Sequence, residues 1–475
     1  MNFIFRNCAA LLVAASATIS AGKLQAQLRI VDYNTTAGPR SGMDVVLTAI
    51  GAHSSVGIAR PPDVLALQEQ SSSASTTQGI VNILNSIYGA GVYARATLDG
   101  ATTGAGRPGL IYNSQTVEVI AQHAFGITGT SAQARQTLRY QLRPVGYDST
   151  ADFYVFSNHY KAGTSSTDRT RRTIEATALR ANLDGLGAGI HAILAGDYNI
   201  QSSAETSYQT LLAPGNGQAF DPISRPGTWH NNLNFRDAHT QAPAANPGPG
   251  LVGGGVDDRF DFQLLTAEFL DGEGLSYLPG SYSVLGNNGT HGCCDASIST
   301  GSGASTTVLA ALETASDHMP VIADYQLPAV LAVTTDNIPA TLQLGQSFSV
   351  QVNVWNAANV PFAIGADELN YGLVASGDVT GSVVGVDDAL GTMNGHLVSF
   401  NTSSLGEKSG FITVESDSQS VAHGFWQLPI SYTVVPVPEP SGFGILVTAI
   451  VFNLYQIPNR PSRRTKVCGA GSCAV

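Results

Sequence analysis

Residues 192–199 read Ala192-Ile193-Leu194-Ala195-Gly196-Asp197-Tyr198-Asn199, a short apolar run that stops on a polar turn. Four apolar residues bounded by glycine read as a buried strand, which puts Asp197 and Asn199 at its end. The same arrangement recurs on both sides of this stretch. Leu28 to Asn34 is a β-rich run closed by Asn34, and Asp63 to Gln68 is an apolar strand running into Glu69. Phe153, Val155 and Ser157 alternate with Tyr154, Phe156 and Asn158 into His159. Further along, Asp261 and the pair Asp317-His318 stand at similar positions. Gly109 to Tyr112 and Val117 to Ile120 read as paired strands around Asn113-Ser114. Met43 towards His53, about Thr76 to Tyr88, and Arg169 to Leu183 read as helices. Strand ends on one edge of a β-sandwich converge in space, so six separate segments can deliver side chains to one cleft. Each residue alone has a plain structural reading: Asn34 closes a turn, and a histidine at a strand end is more often structural. Their combination, in this order, carries the weight.

The motifs Leu67-Gln68-Glu69, Asn158-His159, Gly196-Asp197-Tyr198-Asn199, Asp258-Arg259-Phe260-Asp261-Phe262 and Ser316-Asp317-His318-Met319-Pro320-Val321 resemble those of the endonuclease/exonuclease/phosphatase superfamily. The resemblance runs from the first strand to Val321. It implies an α/β fold, the four-layer α/β sandwich of the deoxyribonuclease I type, with two mostly antiparallel sheets packed together and helices outside. It also implies a metal-dependent phosphoric ester hydrolase.

Phosphodiester hydrolysis needs an in-line water, neutralised charge on the phosphoryl oxygens and help for the leaving oxygen. A hard divalent cation wants carboxylate oxygens, which makes Glu69 the first candidate ligand for Mg²⁺. Mn²⁺ is the expected substitute, and Ca²⁺ a structural ion. By the resemblance, Asn34 and Asp317 complete the metal environment, and His318 is the general base oriented by Asp261. Asp197 positions the attacking water or a second metal, Asn199 donates to the phosphate, and His159 donates to a non-bridging oxygen or assists the leaving group. Arg135 is a candidate phosphate contact. The superfamily's first strand often carries an acid two places after the asparagine; Thr36 stands there, which puts a second carboxylate near the metal in doubt.

Composition limits the substrate. The formal charge is −12, the charged fraction 12%, and the only lysines are Lys23, Lys161, Lys408 and Lys466. This argues against a simple electrostatic DNA-binding protein, since phosphate contacts normally need basic surface. A nuclease stays open, because metal-binding carboxylates count as negative until the ion arrives. Lys161, Arg169, Arg171 and Arg172 form the densest basic cluster, readable as a nucleic-acid contact or as a solvated helix start. The expected substrate is a nucleic acid, with a lipid or small phosphate ester as the alternative, and nothing calls for an obligate protein partner.

The 475 residues exceed one ordinary domain. Residues 1–27 read as a signal peptide, with Arg6 before an apolar run, and 28–326 as the catalytic domain. Residues 327–435 read as a small all-β, immunoglobulin-like sandwich, with Lys408 the only basic side chain against nine acids. Residues 436–475 place Pro438-Glu439-Pro440 before an apolar helix and a cluster of arginines. This tail resembles the bacterial PEP-CTERM sorting signal and implies an exported protein handled by a membrane transpeptidase. The insertion-like segment Tyr277 to Ser305 is expected to rim the cleft. For its adjacent cysteines, Cys293 and Cys294, two reduced buried thiols are the plainer reading and a strained vicinal disulfide the alternative.

Overall fold

The computed structural model describes residues 27–439, apart from 105, 361 and 362. The expected signal peptide up to residue 26 and the stretch expected to form the apolar helix of a sorting tail lie outside the described residues. Among those described, no helix is long and apolar enough to cross a membrane.

The first sheet contains β1 (Gln27–Asn34), β2 (Val64–Gln70), β3 (Tyr93–Arg95), β4 (Arg107–Asn113), β11 (Ser283–Val284) and β12 (Val321–Gln326). The second contains β5 (Val117–Phe125), β6 (Thr137–Pro144), β7 (Phe153–His159), β8 (Ala192–Asp197), β9 (Ala219–Phe220) and β10 (Asp261–Thr266). Their orders are β11-β12-β1-β2-β4-β3 and β5-β6-β7-β8-β10-β9. The first strand begins at Gln27, one residue inside the expected leader; Gln27 is buried opposite Gln326.

Period-two alternation explains the layers. Leu28 and Ile30 of β1, Val64 and Ala66 of β2, Phe153 and Val155 of β7, and Ile193 and Ala195 of β8 share one core between the sheets. The opposite face of β1 and β2 (Val31, Tyr33, Leu65, Leu67) packs with α1 (Met43–Ala52), α2 (Gln78–Tyr88) and α5 (Thr306–Ala315). The outer face of β8 and β10 packs with α3 (Ser166–Asp184) and α4 (Thr206–Leu212). The result is helix, sheet, sheet, helix. A capping box of Ser165 and Asp168 starts α3, satisfying backbone donors that the first turn leaves open.

The expected hairpin at Asn113-Ser114 does not form. β4 pairs with β2 on one side and β3 on the other, so no ladder edge remains for β5, which opens the second sheet against β6. The adjacent cysteines are bonded to each other and half-buried, which replaces the reading of two reduced buried thiols.

Beyond β12 the chain builds two further sheets, ordered β13-β15-β19-β17 and β14-β21-β20-β16-β18. Their strands are β13 (Leu331–Thr335), β14 (Thr341–Gln343), β15 (Ser349–Asn356), β16 (Leu369–Gly377), β17 (Val379–Thr380), β18 (Ser382–Asp387), β19 (Asn394–Phe400), β20 (Gly406–Ser416) and β21 (Phe425–Val435). Val350, Val352 and Val354 of β15 meet Ile412, Val414, Ile430 and Tyr432 in a separate core.

Candidate active site

The inner face of the first unit changes character at one end. On β1 the apolar Leu28 and Ile30 give way to Asp32 and Asn34 on the same face, and on β8 Ile193 and Ala195 give way to Asp197. On β7 the same alternation leads to His159, and β10 begins with Asp261. The ladders set these side by side, with His159 opposite Asp197 and Asp197 opposite Asp261.

Glu69 arrives differently. Simple alternation from Leu65 and Leu67 would turn it towards the helices. The β2–β4 register shifts between Leu67 and Gln70, and Glu69 adopts a left-handed backbone with φ 60°. A bulge of this kind re-aims a side chain, and here it brings Glu69 into the cluster. Gly106 makes room for it: a Cβ there would lie 2.2 Å from the Glu69 Cα.

Asn34 ties the cluster together, its Nδ2 lying 3.2 Å from Glu69 Oε1 and 3.1 Å from Asp197 Oδ2. His159 Nε2 is 3.4 Å from Asp197 Oδ2 and 4.0 Å from Glu69 Oε1. Asn199 donates to Asp197 Oδ1 at 2.7 Å, from a left-handed turn with φ 52°. On the other side, His318 Nδ1 is 2.7 Å from Asp261 Oδ2. That carboxylate fixes the proton on Nδ1 and leaves Nε2 with a lone pair. Gln241 Nε2 approaches this nitrogen at 2.8 Å. In its neutral form a ring held this way by a carboxylate, with Nε2 towards the cleft, can take a proton.

Burial sharpens the electrostatics. It pushes the Asp197 carboxyl up to about 7; His318 opposes the shift, while Asp261 and Glu69 add to it. For His318, burial alone would lower the pKa, but Asp261 and Asp197 outweigh it and hold the ring well above its ordinary value. His159 is driven well below its ordinary value by burial, then by Arg135 and His318. Ligand atoms of Glu69, His159 and Asp197 lie within 4.8 Å of one another, as do those of Asp197, Asp261 and His318. His159 Nδ1 is buried without a partner. Crowded acids, a neutral imidazole and excess negative charge fit a hard divalent cation.

The remaining expected residues stand at the margin. The Asp317 carboxylate accepts from the Thr36 hydroxyl and from the Val252 amide at 2.8 Å, so it anchors the rim at residues 241–256. Thr36 thus occupies the place of an acid by hydrogen-bonding one. Arg135 is buried beside the cluster, donating to the Tyr160 carbonyl at 3.2 Å. The segment Tyr277 to Ser305 stands one layer behind the rim, bonding it through Ala296, Ser297 and Ile298. Part of the basic cluster is used internally: Arg171 donates to the Gly129 and Ala132 carbonyls and Arg172 is fully buried against Glu205, whereas Lys161 pairs with Asp168 and Arg169 is exposed. Gln241, outside every motif, was not legible in the sequence. Neither was the group His230, Asp257 and Asp258: only Asp258 falls in a motif, and His230 lies far from the two aspartates along the chain.

Fold and site together define a phosphoric ester hydrolase with a metal-binding cluster of acids and histidine. The chain belongs to the Endonuclease/Exonuclease/phosphatase family, which it matches over residues 26–318. A similar solved structure is an endonuclease/exonuclease/phosphatase family protein from Bacteroides thetaiotaomicron, at 14% identity and TM-score 0.40, covering 63% of this chain and 98% of that one. Another is the human Nocturnin catalytic domain with bound sulfate anion, at 15% identity and TM-score 0.41, covering 64% and 96%. A third is D. rerio TDP2 complexed with single strand DNA product, at 15% identity and TM-score 0.36, covering 64% and 100%. No curated protein matches the chain.

Proposed function

We propose that this protein is an exported, Mg²⁺-dependent phosphodiester hydrolase that cleaves DNA or RNA by in-line attack of water. The observation that carries the reading is the His318–Asp261 contact of 2.7 Å, set beside the Glu69, His159 and Asp197 cluster. His318 takes the proton of the attacking water at Nε2, and Asp261 stabilises the imidazolium that forms. Asp197, its carboxylate held by Asn34 and Asn199, orients that water. Asn199 and Arg135 face the phosphoryl oxygens, and His159 assists the leaving oxygen. Glu69 holds the cation, with Asn34 and Asp317 steadying the surrounding groups. A bound Mg²⁺, or Mn²⁺ in its place, supplies neutralisation of phosphoryl charge.

Internal use of Arg171 and Arg172 removes cationic surface that a long nucleic acid would grip, which favours a lipid or small phosphate ester as the second reading. The leader and the sorting tail support export to the cell envelope, with a transpeptidase acting on the tail. Nicking of supercoiled plasmid by the full chain with Mg²⁺ tests the substrate. Nicking that stops with chelator supports the nuclease; intact plasmid beside hydrolysed sphingomyelin or a small phosphodiester moves the assignment to the second reading.

A further inference from the structure

β10 begins at the cleft with Asp261 and carries the chain away from it. Six strand residues at about 3.3 Å each, on the order of 20 Å, separate the cleft from the loop beyond β10. That loop, residues 271–275, meets the C-terminal sheets. Asp367, just before β16, is 1% exposed. Its Oδ2 accepts the Gly274 N–H at 2.9 Å, whereas its Oδ1 is buried with no partner. Carboxylate oxygens of Glu273, Asp367 and Glu368 lie within 4.8 Å of one another.

A second orphan lies against Gly274, the residue whose N–H Asp367 accepts. Gln419 Oε1 is buried without a partner, and a Cβ on Gly274 would approach it to 2.7 Å. The Gln419 Nε2 is 3.4 Å from Asp271 Oδ2. Among the described residues, no arginine or lysine forms an ion pair with Asp271, Glu273, Asp367 or Glu368. Buried oxygens without donors are costly, and clustered like charges repel. A cation between the two units relieves both. The donors are all oxygen and come from three separate segments, which suits a hard, geometrically tolerant ion such as calcium rather than a thiophilic one.

We propose that Glu273, Asp367 and Glu368, with Gln419 Oε1, form a calcium site that clamps the catalytic unit to the C-terminal sheets. The test uses the full chain, stripped by chelator and titrated with Ca²⁺, with bound ion counted by equilibrium dialysis and thermal unfolding followed in parallel. Asp367→Asn and Glu273→Ala are each expected to bind this ion at least tenfold more weakly. Both should lose the rise in Tm that Ca²⁺ gives the parent while keeping hydrolysis at the cleft. Glu69→Gln separates the two metal sites, since it is expected to lose hydrolysis and keep the Ca²⁺-dependent rise in Tm. Equal Ca²⁺ stoichiometry and affinity in the parent and both variants would overturn the proposal. So would a rise in Tm lost only in Glu69→Gln. Glu273 is exposed, so Glu273→Ala keeps the test readable if Asp367→Asn fails to fold.

Discussion

At the scale of single residues the chemistry rests on a histidine between two carboxylates. Asp261 and Asp197 overcome the burial that would lower the His318 pKa and raise it well above its ordinary value. A general base works when neutral, so kcat/KM should climb as pH rises through that elevated value, giving an alkaline optimum. Asp261→Asn removes the nearer charge; its limb should move towards neutrality and its plateau fall about 10²–10⁴-fold, measured as a pH–rate profile. The stability linkage carries the opposite sign. A raised histidine pKa favours the folded state fully below the unfolded value near ~6.5, and that contribution is lost as pH rises through the folded value. Melting in chelator across pH should show the loss for the parent and a smaller one for Asp261→Asn.

At the scale of elements, what matters is how each strand ends. Asn34, His159 and Asp197 were legible because period-two alternation needs only the strand and its direction, and their inner-face neighbours are plainly apolar. Glu69 was legible as a motif but not as geometry, since alternation puts it on the wrong face and only the bulge after Leu67 corrects it. The bulge depends on Gly106, whose φ of +60° and closeness to Glu69 leave no space for a side chain. Gly106→Ala should therefore lower hydrolysis about 10–100-fold while circular dichroism stays near that of the parent, as displaced support of a metal ligand does elsewhere. The hairpin expected at Asn113-Ser114 failed because turn chemistry is local, whereas pairing depends on which edges other strands have taken. Gln241 was invisible for a related reason: it reaches His318 from an irregular loop, where no period ties sequence to direction.

At the scale of the molecule, the two units share apolar packing. Leu327, Val330, Ala358, Val360, Ala366, Ala389 and Ala422 belong to the same buried cluster as Ile30, Tyr140 and Leu265. The Tyr147 hydroxyl also donates to the Pro328 carbonyl at 2.7 Å. Such continuity predicts one cooperative unfolding transition by calorimetry, and Leu327→Ala should lower stability by about 2–5 kcal/mol through the cavity it leaves. Two separated transitions would show that the units melt independently. The central claim is that one metal-dependent site hydrolyses phosphodiesters through Glu69 and His318. Its most direct test is a divalent-ion titration of bis(p-nitrophenyl) phosphate hydrolysis by the parent, Glu69→Gln and His318→Ala. The account predicts activity that appears with Mg²⁺ or Mn²⁺, vanishes with chelator and falls about 100-fold or more in either variant. Hydrolysis that persists in chelator, or that either variant leaves unchanged, would contradict it.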